Sequence, residues 1–277
     1  MKKIFKQFHV GFSSYGRALT FIFQNGLWYY FIFPLLFNFI VFFGGISLIN
    51  SATDVSIDWA MNQFNSLNAT GFWGILLEWS RESLGWLIWI VFKIAFFYAF
   101  LIFGGYISLI ILSPVLAFLS EKTEEIITGK KHPFNILQFT RDIIRAIIIV
   151  VRNMSIQMLW VILFFIISFL PVVGWFISFF GNLIISSYFY GFSFMDYTNE
   201  RKRFNIKQSV LHVKENKGLA TGTGSIFVLC FLIPVFGSII ASFVSVIAIV
   251  GATICMVNEG KVKIEVISPK EINIEPN

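Results

Sequence analysis

Few residues of this chain could do chemistry, and most of them border long apolar runs. Gly26, Leu27 and Trp28 open the first such run, with Asn25 as a suitable helix cap. A helix that begins there leaves its first backbone amides unpaired and able to hold an anion, with Arg17 as a nearby positive charge. We interpret these residues as candidate anion ligands. The alternative is that Asn25 only caps the helix while Trp28 anchors it at a membrane surface.

A second group of polar residues lies inside or at the ends of the apolar runs, where an unpaired polar group is costly. Asn38 falls within the first run and predicts either a hydrogen bond between helices or a group on a polar pathway. The charged members predict either a salt-bridge cluster at the membrane surface or the same pathway. They are Glu121, Asp142, Arg145 and Asp196.

A basic stripe is expected on one helix, because Arg141, Arg145 and Arg152 recur at i, i+4 and i+11. At about 100° per residue these positions share one narrow face. Such a stripe is typical of a helix that binds anionic lipid headgroups, and the alternative is that it attracts a permeant anion. With charges placed among apolar runs, the net charge of +6 indicates a membrane surface and not a nucleic acid.

Motifs of enzymes and cofactor sites do not occur in the sequence. It contains no phosphate-binding loop, no HExxH and no nucleophile elbow, and its three histidines are far apart. Cys230 and Cys255 both lie in apolar runs without a metal-type spacing and predict packing residues. We therefore expect no cofactor, no metal and no enzymatic activity.

The elements that must position these residues are membrane helices. Of 277 residues, 57% are hydrophobic and 13% charged, against roughly 25% charged in a soluble domain, so the sequence predicts one all-α integral membrane domain. Residues 51–83 contain four acidic residues and one basic residue, a net charge of −3 that leaves +9 for the rest. Because lysine and arginine collect on the cytoplasmic side, this segment is expected outside and both termini in the cytoplasm.

Two apolar runs, 154–196 and 219–257, resemble each other with an offset of 63 residues. Each contains a proline, Pro171 or Pro234, followed three residues later by glycine, which predicts a helical hairpin with both ends on the cytoplasmic side. The outgoing arms are short for a hydrocarbon core of ~30 Å. We therefore expect re-entrant hairpins that penetrate partway, and the alternative is a protein with six spans.

These patterns predict the order of segments along the chain. Ser113–Pro114 is expected to begin a new helix and Gly129 to end it. The segments are an interfacial helix (4–25), a transmembrane helix (26–50), an external loop (51–83), a second transmembrane helix (84–112), cytoplasmic or interfacial helices (114–152), a first hairpin (154–196), a cytoplasmic connector (197–218), a second hairpin (219–257) and a cytoplasmic tail (258–277).

Several short motifs occur together in order along nearly the whole chain. They are Gly26–Leu27, Pro34–Leu35–Leu36 with Asn38, then Pro114, Glu121, Glu124 and Thr128–Gly129, then Asp142 and Arg145, then Asp196–Tyr197, and finally Gly251–Ala252–Thr253. In this order and spacing the sequence resembles the CysZ sulfate permeases of bacteria, which belong to the etoposide-induced-protein superfamily.

The resemblance implies two long transmembrane helices with two hemi-penetrating hairpins, in an oligomer of the bacterial inner membrane. It also implies an ATP-independent route for sulfate that supplies cysteine synthesis. In that family a Gly-Leu-Arg motif binds sulfate through backbone amides. Gly26 and Leu27 match the motif, whereas Trp28 replaces the basic residue and removes the charge-assisted part of binding. The alternative function is a non-transporting protein that organises lipid or partner proteins.

Overall fold

The computed structural model describes residues 2–65, 72–130, 136–233 and 236–267, and these contain helices without a β-strand. The predicted all-α class is confirmed. Parts of the predicted external loop, second hairpin and tail lie outside the described residues. The helices are α1 (Lys2–Gln24), a 3₁₀ helix (Leu27–Phe31), α2 (Ile32–Asn65), α3 (Phe72–Thr128), α4 (Ile136–Ile167), α5 (Val173–Arg201), α6 (Ile206–Glu215), α7 (Lys217–Cys230) and α8 (Gly237–Ile267).

The chain divides into two compact units. The larger consists of Met1–Pro34 and Tyr106–Asn277, and the smaller is Leu35–Gly105. In the smaller unit α2 continues to Asn65 and α3 begins at Phe72. The described ends of segment 51–83 are therefore helical, and its position outside the membrane stays a prediction.

Five helical segments in the described part of the chain are long and apolar enough to cross a membrane, which supports the predicted class of multi-pass membrane protein. They are Leu27–Ser56, Gly105–Thr128, Ile136–Ile167, Val173–Arg201 and Gly237–Val257. Helix α7 has 14 residues and, at 1.5 Å per residue, a length of about 21 Å, which is less than the hydrocarbon core of ~30 Å.

The sequence predicts that a new helix begins at Ser113–Pro114. Instead, α3 continues through Pro114 without a break. Proline lacks the amide that would pair with the carbonyl of Ile110, four residues earlier. The hydroxyl of Ser113 donates to that same carbonyl at 2.8 Å. The helix can therefore continue without leaving the carbonyl unpaired. The predicted stop is confirmed, because α3 ends at Thr128 and Gly129 has φ 72°.

The predicted hairpins have corresponding glycines at their turns. A Cβ at Gly174 would lie 2.2 Å from the carbonyl oxygen of Ile167, and a Cβ at Gly237 would lie 2.5 Å from that of Cys230. Both pairs are seven residues apart, and the two turns are 63 residues apart, as the repeat predicts. The outgoing arm of the first hairpin is longer than expected, because α4 begins at Ile136 and not near residue 154.

Helix α7 packs between α1 and α5, and its glycines allow the backbones to approach closely. A Cβ at Gly222 would lie 2.3 Å from the backbone oxygen of Phe8 on α1, and one at Gly224 would lie 1.9 Å from that of Ser187 on α5. Tyr15 of α1 donates its hydroxyl to the backbone oxygen of Thr223, and burial raises the pKa of this phenol, so it remains a donor. The glycine-rich start of α7 is thus buried in protein, as its composition requires.

Candidate functional site

A row of polar side chains joins α4 and α5 inside two of the candidate membrane spans. On α5 the row occupies one side of the helix, since its members fall within an arc of about 80° at 100° per residue and extend over about 27 Å. We call this row the polar seam. It comprises Arg145, Asn153 and Gln157 on α4 and Ser178, Asn182, Ser186, Ser193 and Asp196 on α5.

Hydrogen bonds connect the two helices along the polar seam. Asn153 Nδ2 donates to Ser193 Oγ at 3.1 Å, and Gln157 Nε2 donates to Ser186 Oγ at 2.9 Å. The hydroxyl of Tyr106 on α3 donates to Gln157 Oε1, which ties a third helix to the row. These bonds satisfy groups that would be costly to leave unpaired in a membrane.

The end of the polar seam nearest α6 contains its one ion pair within the described residues. Arg145 Nη2 lies 3.1 Å from Asp196 Oδ1, and the two side chains are 16% and 4% exposed. Ser209 of α6 donates its hydroxyl to the same carboxylate oxygen. Helix α6 is positioned for this contact by a capping box, in which Asn205 and Gln208 satisfy each other's backbone amides.

The network continues from this ion pair into α6. Asn199 Nδ2 donates to Ser209 Oγ at 2.8 Å, and Asn199 Oδ1 lies 2.8 Å from His212 Nδ1. Asn216 receives a bond of 2.8 Å from Gln7 of α1. The polar seam is thus connected through α6 towards the N-terminal helix.

Three buried polar atoms have no hydrogen-bond partner among the described residues: Arg145 Nε and Asp196 Oδ2 of the ion pair, and Tyr197 Oη, which interacts electrostatically with Glu200 and Asp196. A fourth, Asn182 Oδ1, lies farther along α5. Two of these atoms can donate and two can accept a hydrogen bond. A buried guanidinium with a spare N–H donor has the chemistry needed to bind water or an oxyanion.

The backbone at Gly26 resembles an anion-binding nest in its dihedral angles, but the amide of Gly26 itself donates to the carbonyl of Phe23 at 3.4 Å. Gly26 has φ 68° and ψ 20°, a left-handed conformation, and the right-handed 3₁₀ helix starts at Leu27. Leu27 is buried, whereas Trp28 is 62% exposed. Asn25 does not cap this helix as expected, because its side chain donates back to the carbonyl of Phe21 at 2.9 Å.

Arg17 is not brought to Gly26. Its Nη2 donates to the backbone oxygen of Val10 at 3.1 Å and to Cys255 Sγ at 3.6 Å, so the side chain is directed towards the N-terminal end of α1. It lines an open hollow of about 410 Å³ between α1, α3 and α8.

The other predicted pathway residues are dispersed. Asn38 is half-buried in the smaller unit. Glu121 is half-buried on α3 and interacts electrostatically with Tyr30 of the 3₁₀ helix. The side chain of Asp142 lies outside the part of the chain that the structure describes. Arg145 and Asp196 are thus the pair of predicted pathway residues that the described structure brings into contact.

The predicted basic stripe on α4 does not act as one surface. Arg145 faces α5, Arg152 donates to Asn153 at 3.2 Å, and Arg141 is exposed. The sequence did not lead us to Gln157 and Ser186. Their signal was present, since Asn153 and Gln157 lie one turn apart in an apolar helix, as do Asn182 and Ser186.

The helices and the polar seam define a class, that of multi-pass helical membrane proteins with a polar interior row. The family model described as "Sulfate transporter CysZ/Etoposide-induced protein 2.4" matches residues 14–242. The chain therefore belongs to this family, which confirms the resemblance drawn from the sequence motifs.

Proposed function

We propose that the protein is a passive, channel-like permease for sulfate or a related oxyanion. In this proposal it works in the bacterial inner membrane with both termini cytoplasmic, and it supplies sulfate for cysteine synthesis. Membership of a sulfate transporter family supports the substrate class. The observation that carries the proposal is the ion pair of Arg145 and Asp196, with buried donors that have no partner in the described chain, at the cytoplasmic end of a polar seam that continues into two candidate spans.

The chemistry of this pair suits transient binding of a dianion. Sulfate must replace its hydration shell with hydrogen-bond donors, and Arg145 Nε and the Tyr197 hydroxyl are donors without a partner in the described part of the chain. Asp196 neutralises the guanidinium, so an entering oxyanion has to exchange with a carboxylate of similar chemistry. That competition keeps binding weak enough for the anion to leave again.

The remaining predicted residues belong to the proposed route. The backbone at Gly26 and Leu27 would receive the anion near an entrance, next to Trp28, once the amide of Gly26 leaves the carbonyl of Phe23, with Arg17 adding positive charge at a distance. Asn38, Glu121 and Asp142 would be polar groups along the internal passage.

We also propose the membrane arrangement expected from the sequence, two long transmembrane helices with two re-entrant hairpins, in a homo-oligomer. The length of α7, about 21 Å, supports partial penetration of the second hairpin. In the first hairpin, Arg152 lies 15 residues, or about 22 Å, before the end of α4. A charge at that depth supports partial penetration there as well.

The test is uptake of radiolabelled sulfate into proteoliposomes that contain the purified protein. We expect uptake above that of empty liposomes, and a loss of about tenfold or more in Arg145→Met, since a hydrogen bond to a charged group contributes about 1.5–3 kcal/mol. Arg141→Met is the matched control, because Arg141 is exposed one turn away on the same helix. Uptake equal to that of empty liposomes would overturn the proposal.

The second candidate function is a non-transporting protein that organises lipid or partner proteins. Two observations favour it: Trp28 stands in place of a basic residue, and Asp196 neutralises Arg145. It predicts that a cysteine placed at Ser186 in a cysteine-free background is unreactive to a charged thiol reagent. Reaction at this position, with none at Leu163→Cys, an exposed position on α4, would favour a hydrated route through the seam.

A further inference from the structure

Helix α1 has three distinct faces. One face packs on the bundle and consists of the buried residues Gly11, Ser14, Tyr15, Ala18 and Ile22. A second face is a narrow apolar stripe, which at 100° per residue occupies an arc of about 40°. Its members are Phe5, Phe12, Leu19 and Phe23, which are 75%, 44%, 39% and 63% exposed, respectively.

The third face is a basic edge that lies directly beside the apolar stripe. It contains Lys2, Lys6, His9 and Arg17, all of which are exposed. The helix contains no acidic residue to neutralise them. A helix with a packed face, an exposed apolar stripe and a basic edge has the form of one that lies along a membrane surface.

A hollow joins the basic edge to the apolar stripe near the start of α1. It has a volume of about 680 Å³ and is lined by Lys2, Phe5, Lys6, His9 and Val10. Lys2 and Lys6 lie one helical turn apart, so their ammonium groups can converge on one anion. Phe5 and Val10 provide apolar surface in the same hollow.

We propose that this hollow binds the phosphate headgroup of an anionic phospholipid, while the apolar stripe of Phe5, Phe12, Leu19 and Phe23 faces the acyl region of the bilayer. The charge of the headgroup is complementary to the two lysines, and the stripe provides the apolar contact that acyl chains need. An inorganic phosphate would satisfy the lysines but leave the stripe exposed. The occupant is therefore lipid, and this site is independent of the oxyanion route.

The sequence predicts that a basic stripe on α4 binds anionic lipid headgroups, and we assign that role to the hollow on α1 instead. Arg145 is paired inside the bundle and Arg152 is engaged with Asn153, so the predicted α4 stripe does not present its charges together. On α1 the lysines of the hollow have no ion pair within the described chain. The headgroup contact therefore belongs to α1.

The test measures lipid selectivity of the full-length protein in bilayers, using spin-labelled phosphatidylglycerol and phosphatidylcholine. We expect the wild type to prefer the anionic lipid. The double variant Lys2→Gln/Lys6→Gln should reduce that preference by about fivefold or more, because it removes two positive charges that attract the anionic headgroup. Lys207→Gln/Lys214→Gln is the matched control, since both lysines are exposed on α6. The control should retain the preference.

Two outcomes would overturn the proposal. In the first, the α1 variant keeps the preference of the wild type or the α6 control loses it equally. In the second, millimolar inorganic phosphate displaces the labelled lipid from the wild type, which would show a free-anion site. All four lysines are exposed, so the variants retain the packing of the bundle, and a thermal unfolding curve for each checks this.

Discussion

One carboxylate oxygen of Asp196 on α5 accepts hydrogen bonds from both Arg145 of α4 and Ser209 of α6. A single buried acceptor therefore holds three helices together. The same pair is the main binding point of the proposed oxyanion route, so its contribution to stability has to be separated from its contribution to transport.

That separation is possible with single and double variants of the ion pair. Breaking a buried pair from one side costs about 3–5 kcal/mol, because the remaining charge has no partner. We expect Arg145→Met and Asp196→Leu each to lower the unfolding free energy by about this amount, and the double variant to recover most of it. Chemical denaturation in detergent measures the stability. Sulfate uptake should stay low in the double variant, and recovery of uptake would show that Arg145 acts only through stability.

The contact of α1 with α7 depends on a residue without a side chain. A Cβ at Gly11 would lie 2.6 Å from the backbone oxygen of Leu219, so Gly11→Ala should destabilise the protein by about 1–3 kcal/mol. Gly16 lies on the same helix with open space around it. Gly16→Ala should therefore raise stability by up to about 1 kcal/mol through helix propensity. Thermal unfolding compares the two, and equal effects would refute the close contact.

The hydroxyl of Ser113 should matter only because Pro114 follows it. Ser113→Ala leaves the Ile110 carbonyl unpaired inside a candidate span and should cost about 1–3 kcal/mol. In a Pro114→Ala background the new amide pairs with that carbonyl, so the same substitution should cost much less. A double-mutant cycle on unfolding free energy gives the coupling. Zero coupling would contradict the assigned role.

Restoring the family's basic residue should strengthen the proposed anion nest. In Trp28→Arg a guanidinium would lie next to the amides at Gly26 and Leu27. Because position 28 is exposed, the gain should be about 1 kcal/mol, or about fivefold in the sulfate concentration for half-maximal uptake. Trp28→Gln controls for the loss of the indole. An unchanged concentration dependence would remove the nest from the route.

The depth of the first hairpin can be measured at its turn. Val172 is 72% exposed between α4 and α5. With partial penetration, a cysteine at this position in a cysteine-free background should stay unlabelled by an impermeant reagent applied to the outer face. Thr140→Cys, exposed near the other end of α4, should label from the cytoplasmic face. Labelling of Val172→Cys from outside would establish a complete crossing.

The hairpin turns and the end of α3 were predictable because each depends on local chemistry. A proline removes an amide and Gly129 adopts a positive φ, and both effects are visible in a few consecutive residues. The course of α3 through Pro114 was not predictable in this way. The sequence shows the proline, but only the structure shows that Ser113 supplies the missing hydrogen bond.

The residues of the candidate site could be predicted from the sequence better than the contacts between them. Arg145 and Asp196 stood out as charges at the ends of apolar runs, but they are 51 residues apart, and their pairing depends on how α4 meets α5. Gln157 was missed because an amide in an apolar helix looks the same whether it faces lipid or a neighbouring helix. The direction of the Arg17 side chain could not be predicted for the same reason, because it is set by hydrogen bonds to Val10 and Cys255.

Because α1 packs against α7, this part of the helix bundle can assemble only after α7 has been synthesised. Gln7 and its partner Asn216 are 209 residues apart, so the ribosome completes the first helix long before its binding surface exists. In that interval the nascent α1 has basic and aromatic residues but no helix to pack on, and the lipid surface is the partner that is already present. Insertion of the last hairpin then completes the assembly, and a chain that stops before α7 would leave its first helix at the membrane without a bundle to join.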